Sequence, residues 1–333
     1  MSLQIPEIVS LASAFYGSSI LFSALELNLF TVISQTKTPT LETLAQCCAV
    51  DKRGLRLLLD AAVAIGLLTK TNNCYALTPA TAATLVKGAP HDLTQAITYN
   101  RDVYPAWGRL TEFVRSGKPV EPPAKHLGSD AERTRRFALS MHGRAMGIGQ
   151  AVVPVLNLPR GAYVLDLAGG PGTYAFLMAQ SDPDLRCDTY DLPAISAVAK
   201  EITAPYANRI TCIPGDYHTD TYPENTYDVV TLFGCLHQES PADIIDILKR
   251  ATRALKPGGT IYILDMMTEA DHTTPPFSAL FAVNMALTTE NGWVFSTDEL
   301  NSWLKEVGLT NISCTPIPPP MPHLLVKATR PAP

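Results

Sequence analysis

The chain is poor in charge. Asp, Glu, Lys and Arg make up 17% of its 333 residues and sum to a net charge of −5. It has no long basic run, so a nucleic-acid or anionic-membrane partner lacks its electrostatic footprint and none is expected. The seven cysteines are an odd number at irregular spacing, with Cys47 and Cys48 adjacent and no C-x-x-C pair. That pattern excludes a disulfide framework and a thiolate zinc site. No metal is expected, and reduced thiols suit a cytoplasmic location. Apolar runs are broken well before the roughly 20 residues that a membrane span needs. The opening MSLQIPEIVS has no cationic segment ahead of an apolar one, so no signal peptide is expected. Internal repeats and low-complexity tracts are absent. What the chain does have is apolar mass, 46% of its residues, enough for a substantial core in one or two domains.

The pattern divides along the chain. Residues 1–110 read as helices: ILFSALELNLFTVIS, then TPTLETLAQCCAV with a Thr cap and Glu42 in its first turn, then the amphipathic DKRGLRLLLDAAVAIGLL. Asn72-Asn73, between two short apolar runs, reads as a hairpin turn because Asn tolerates positive φ. Three helices and a small hairpin form a winged-helix pattern. Its candidate recognition helix balances Lys52, Arg53 and Arg56 against Asp51 and Asp60, which suits a packing or dimerisation module better than a DNA reader. Residues 111–155 read as a helical connector, with a Pro-rich loop SGKPVEPPAKHLGS and a long helix AERTRRFALSMHGRAMGIGQAVVPVL. Residues 156–333 alternate strand and helix, ending in an antiparallel pair, NISCTPIPP and HLLVKAT. That alternation predicts an α/β domain with a mainly parallel sheet, whose ligands sit at the C-terminal strand ends.

Two motifs carry chemistry. In VLDLAGGPGTYA a strand ends at Asp166-Leu167, glycines 169, 170 and 172 follow, and a helix begins. Glycines let the backbone turn tightly and let a ligand approach it. Asp191, 22 residues after Gly169, ends the next strand, where an acid accepts hydrogen bonds from ribose hydroxyls. The glycines also fit a dinucleotide pattern, but Asp166 beside them would repel a pyrophosphate, and no second mononucleotide half follows. S-adenosylmethionine, an adenosine with a cationic sulfonium and an ammonium, fits Asp166 and Asp191 together. An alternative role for Asp166 is to cap the next helix. In GDY, Asp216 could accept the adenine amino group and Tyr217 could stack on the base.

The chain resembles the plant- and bacterial-type small-molecule O-methyltransferases, the family of caffeate, hydroxyindole and polyketide O-methyltransferases. The resemblance runs over almost the whole chain: ALELNLF, RLLLDAAVAIGLL and YALTP in the N-terminal part, then VLDLAGGPG, YDLP, GDYH and LHQESPADIIDILKRATRALKPGG. It implies a Rossmann-like class I methyltransferase domain with an antiparallel end strand and an N-terminal winged-helix dimerisation domain. It also implies S-adenosylmethionine as cofactor and a homodimer acting on a small-molecule methyl acceptor. Gly169, Gly170, Asp191, Leu192, Asp216, Tyr217 and Phe233 would line the cofactor, His237 would be the general base, and Asp265 would hold its tautomer. Where the family commonly reads His-Asp-Trp, this chain reads His237-Gln238-Glu239, and Val294 stands where a further family acid is expected. Glu290 is expected to compensate.

An imidazole of reference pKa about 6.5 can take a proton from a phenol of about 10 at an uphill cost of roughly 5 kcal/mol. An alkyl hydroxyl would cost about 12 kcal/mol. A phenol or enol acceptor is therefore expected, in an apolar and partly aromatic pocket. Its candidate residues are Phe15, Tyr104, Trp107, Met141 and Met285. The alternatives are a C-methyltransferase or non-methylating enzyme of the same fold, and a winged-helix regulator with a ligand-sensing domain.

Overall fold

The computed structural model describes residues 3–121, 130–318 and 322–332. The chain divides into two units, Met1–Arg101 and Asp102–Pro333. Most of the Pro-rich loop expected in the connector, residues 122–129, lies outside the described residues.

The first unit holds α1 (Ile5–Ser13), α2 (Phe15–Glu26), α3 (Leu29–Gln35), α4 (Leu41–Cys48), α5 (Lys52–Ala64), the hairpin β1 (Leu68–Thr71) and β2 (Cys74–Leu77), and α6 (Pro79–Thr84). Thr40 caps α4 and Asp51 caps α5 through side-chain acceptors. Asn72 and Asn73 turn the hairpin with φ of 48° and 61°, as their tolerance of the left-handed region requires. Leu29, Phe30, Leu44, Leu55, Leu59 and Tyr75 form the core of this unit. On α5, Lys52 is paired with Glu42, and Asp60 accepts from Lys70 and from the Tyr75 hydroxyl, so its charges are partly spent inside the unit.

The expectation about apolar runs is corrected at this end. The 22 residues Ile5–Glu26, α1 and α2 with Ala14 between them, contain an 18-residue window with a mean hydropathy of 1.7, long and apolar enough to cross a membrane by length and composition alone. Serines interrupt the run in sequence at little cost, since Ser13 at the end of α1 and Ser19 in α2 donate back to the Ser10 and Phe15 carbonyls. Ile5, Val9, Leu11, Phe15 and Tyr16 lie exposed in the single chain.

Across the division runs α7 (Thr94–Trp107). The second unit continues with α8 (Leu110–Ser116) and the 22-residue α9 (Ala131–Val152). Strands β3 (Tyr163–Leu167), β4 (Arg186–Asp191), β5 (Ile210–Pro214), β6 (Tyr227–Phe233), β7 (Leu255–Met266), β8 (Thr310–Pro316) and β9 (His323–Thr329) form one sheet in the order β5-β4-β3-β6-β7-β9-β8. The first five are parallel, while β9 runs antiparallel to β7, and β8 to β9. Helices α10 (Thr173–Ser181), α11 (Pro193–Ile202), α12 (Pro241–Ala254), α13 (Pro276–Thr288) and α14 (Thr297–Glu306) complete the unit. The chain leaves β3 for β4 on one side and later returns to β6 on the other. The carboxyl ends of β3 and β6 therefore flank the crevice where such sheets bind ligands.

KPGG, whose glycine pair is a turn signal in sequence, is here part of β7, with Gly258 at φ 79° and an irregular register against β6. The long strand can absorb that kink because glycine accepts positive φ. Helix α12 shows why the sheet is stable. Ser240 caps it, Pro241 opens it, and Ile244, Ile247, Leu248, Ala251 and Ala254 recur at helical spacing and are buried in the main core. Replacing Ile247 with Ala should cost about 2–5 kcal/mol in urea unfolding.

Candidate active site

The glycine turn lies between β3 and α10. Gly169 donates to the Tyr190 carbonyl at 3.2 Å, and Gly172 to the Gly169 carbonyl at 3.0 Å. A Cβ on Gly169 would fall 2.2 Å from Thr189 Oγ1 and 2.4 Å from Asp166 Oδ2, so only glycine fits there. Gly170 adopts φ 56° and faces open space, which leaves bare backbone for a ligand. Asp191 accepts the Gly170 N–H at 2.8 Å and the Leu192 N–H at 2.7 Å. Burial pushes its carboxyl up to about 6, opposed by those two amides.

Asp166 is fully buried under this turn. Thr231 on β6 donates to it at 2.6 Å, and Thr189 on β4 lies at 3.5 Å. It is thus held by its neighbouring strands and does not cap α10. Burial pushes it up to about 7, with the charge of Asp191 adding to the shift. Two carboxyls short of cationic partners beside a bare glycine turn suit a positively charged adenosine-bearing ligand and not a pyrophosphate.

After β5, Gly215 packs against the Tyr190 ring, and Asp216 and Tyr217 follow. Asp216 accepts from the His218 amide and faces its Nδ1, both at 2.9 Å. Tyr217 donates to Glu239 at 2.5 Å. Phe233 ends β6 and meets the Tyr174 ring edge-on at 4.8 Å. Leu192 packs against Ala138, Ile195 and Val198.

His237 sits in a 3-10 turn directly after β6. Parallel pairing sets Phe233 beside Leu264, and Gly234 donates to the Leu264 carbonyl at 2.7 Å. The same pairing carries His237 Nδ1 to 2.6 Å from Asp265 Oδ1, with both side chains buried. Asp265 Oδ1 also accepts the Met266 N–H at 2.8 Å. With the proton on Nδ1 facing the acid, the Nε2 lone pair is left as a base. On its other flank His237 meets the Phe281 ring edge at 5.0 Å.

The expectation for Glu290 is corrected. α13 ends at Thr288, and Glu290 lies exposed in the following loop, while Asp265 is the acid paired with His237. Val294 packs with Met266, Phe281 and Met285, so the second flank of the base is apolar. Met285 thus shares a cluster with Phe281. Trp107 joins the same helix by donating its indole N–H to Asn284 at 2.9 Å. Tyr104 on α7 and Met141 on α9 are half-buried. Phe15 belongs to the first unit, exposed on α2 and in edge contact with Tyr16. Residues to which the sequence reading gave no role are Thr231, Glu239, His218 and Asn284, although Glu239 was named within the His237-Gln238-Glu239 departure and His218 stands in GDYH. Asn284 gave a local signal as a polar residue within the apolar helix PFSALFAVNMALT.

The O-methyltransferase domain family matches residues 107–310, and the O-methyltransferase dimerisation domain matches residues 9–87. This chain belongs to the O-methyltransferase family. The tetracenomycin polyketide synthesis 8-O-methyltransferase of Streptomyces glaucescens is 30% identical over 94% of each chain. The acetylserotonin O-methyltransferase of Bos taurus is 28% identical, over 91% of this chain and 92% of its own. In fold, the chain superposes on human N-acetylserotonin methyltransferase, solved in complex with S-adenosylmethionine. The TM-score is 0.87 at 22% identity, covering 99% of both chains. The enzyme is an S-adenosylmethionine-dependent O-methyltransferase acting on a small molecule. No group of three or more His, Cys, Asp or Glu that could hold a metal occurs among the described residues.

Two outcomes follow from the geometry. Asp265→Asn in this O-methyltransferase should lower kcat by roughly a hundredfold or more, through the wrong imidazole tautomer, while Glu290→Gln leaves it unchanged in steady-state assays. Asp166 has a folded pKa above its unfolded value, so the folded state holds the extra proton between the two, and stability falls as pH rises from about 4 to about 7. In the ligand-free enzyme Asp166→Asn should therefore raise Tm at pH 8, with the gain shrinking toward pH 4.

Proposed function

We propose that the enzyme methylates an acidic hydroxyl, a phenol or enol, of a small aromatic metabolite, with His237 as general base. The supporting observation is the buried His237–Asp265 pair at 2.6 Å, which leaves Nε2 as the proton acceptor beside the apolar cluster of Phe281 and Met285. S-adenosylmethionine supplies a methyl already activated on a cationic sulfur. When bound, the cofactor would supply that methyl to the acceptor oxygen, and His237 Nε2 would take the hydroxyl proton. Asp191 is assigned to the ribose hydroxyls, and Asp216 and Tyr217 to the adenine. The Gly169–Gly170 backbone is assigned to the body of the cofactor, with Leu192 and Phe233 as apolar walls. Asp166 acts through its charge, because it is fully buried and held by threonines. Trp107, Tyr104, Met141 and Met285 are assigned to the acceptor pocket. Relatives are named for an 8-O-methylation in tetracenomycin polyketide synthesis, a 3-hydroxynaphthoate and acetylserotonin, in keeping with a fused aromatic or indolic acceptor.

The domain organisation that goes with this reading is an N-terminal dimerisation part over residues 1–110, a connector over 111–155 that contributes to the acceptor pocket, and a catalytic domain over 156–333. A homodimer would cover the exposed apolar face of α1 and α2, where Phe15 lies, since residues 9–87 match the dimerisation domain. The seven free thiols suit a reducing cytoplasm.

Labelled S-adenosylmethionine should methylate members of a panel of phenols, naphthols and hydroxyindoles but not alkyl alcohols. His237→Ala should reduce turnover by about 10²–10⁴-fold, and Asp191→Ala should chiefly raise the KM for the cofactor. Label transferred to carbon, or full activity in His237→Ala, would overturn the base assignment. Sedimentation should show a dimer that Phe15→Asp weakens.

A further inference from the structure

Glu239 follows the base by two residues and is 5% exposed. A buried carboxylate is costly unless its oxygens are satisfied, and both of these are. Oε1 accepts the Tyr217 hydroxyl at 2.5 Å, and Oε2 faces His218 Nε2 at 2.8 Å. The main chain of the same turn is held from the opposite side. The Trp293 indole N–H donates to the Glu239 carbonyl at 2.8 Å, and the Trp293 amide donates to the His237 carbonyl at 3.0 Å. Glu239 is thus a direct side-chain link between the turn bearing His237 and the loop bearing Asp216 and Tyr217.

We propose that Glu239 is a positioning residue that locks the adenine-side loop to the base-bearing turn, so that cofactor binding and base placement depend on one another. This rests on the assignment of Asp216 and Tyr217 to the cofactor and of His237 as base. Tyr217 carries the strongest part of the link, because its hydroxyl donates at 2.5 Å to a buried carboxylate. The His218 part is half exposed and weaker. His218 lies between two carboxylates, Asp216 at Nδ1 and Glu239 at Nε2, which suits an imidazolium donating to both. Burial alone would lower its pKa, yet Glu239 and then Asp216 hold it above the ordinary histidine value. The other charges nearby are Asp220 on the same loop and Arg250 of α12, which donates to the Asp220 carbonyl and pairs with Asp246. The His218 link is therefore complete at low pH and lost as pH rises through that raised value.

The test is calorimetric titration with S-adenosylhomocysteine across about pH 6 to 9, where a histidine switch reads out, with kcat and KM measured on the same samples. The Glu239-dependent part of the wild-type affinity, read as the difference from Glu239→Gln at each pH, should shrink as pH rises, because the Asp166 and Asp191 carboxyls, at about 7 and about 6, ionise in the same window in both proteins alike. Glu239→Ala should bind about tenfold more weakly, the scale of a lost hydrogen bond to a charged group, and lose kcat by a similar factor. Glu239→Gln still accepts from Tyr217, so it should recover much of the binding but show a flatter pH course. If Glu239→Ala does not fold, Glu239→Gln and Tyr217→Phe decide the matter, the first by its pH course and the second by a joint fall in affinity and kcat. A folded Glu239→Ala with unchanged affinity and kcat, a change in only one of them, or an unaltered pH course in Glu239→Gln would overturn the proposal. If wild type fails to bind S-adenosylhomocysteine at all, the cofactor assignment beneath it fails instead.

Discussion

The parallel pairing of β6 with β7 is the constraint on which the chemistry depends. Its register places Phe233, the last residue of β6, beside Leu264, so the turn just beyond β6 comes to Asp265, the next residue of β7. His237 and Asp265, 28 residues apart in sequence, meet there at 2.6 Å inside the protein. Neither side chain would be stable in that setting alone, since a buried carboxylate and a buried imidazole each need a partner. The helix between them, α12, has no part in the chemistry. Its apolar face is anchored in the core so that the two strand ends stay in register.

The same sheet builds the cofactor side by different means. At β3 and β4 the working groups are backbone: a glycine turn braced by Asp191, which accepts the Gly170 N–H and also the N–H of Leu192. Asp166, below that turn, is tied by Thr231 to β6, the strand that leads into the base. Two raised carboxyl pKa values, about 7 and about 6, express the same physics, negative groups held out of water without a cation of their own. Such a site is unfavourable when empty, and a cationic ligand relieves it.

Much of this was legible in the chain. Glycines 169, 170 and 172 followed at the right distance by Asp191 are a local pattern, because the turn and the strand end that they need are set within one βαβ unit. The Asn72-Asn73 hairpin and the Thr cap of α4 were legible for the same reason. Less legible were features that depend on what a helix or loop does after it leaves the sheet. Glu290 looked near enough to support the base, but α13 ends before it and leaves it in solvent. The apolar character of Ile5–Glu26 was hidden by serines that cost little once their hydroxyls bond back to the helix.

By itself the sequence determined the strand and helix alternation, the glycine turn, the acid after it, and the histidine at a strand end. Each follows from backbone freedom or hydrophobic period over a few residues. Tertiary structure decided which acid pairs with His237, that the opposite flank of the base is Phe281 and not a carboxylate, and that Glu239 satisfies Tyr217 and His218. Those are choices among partners far apart in the chain. Only strand register and burial could make them, because a buried polar group takes whichever neighbour the packing brings within hydrogen-bonding distance.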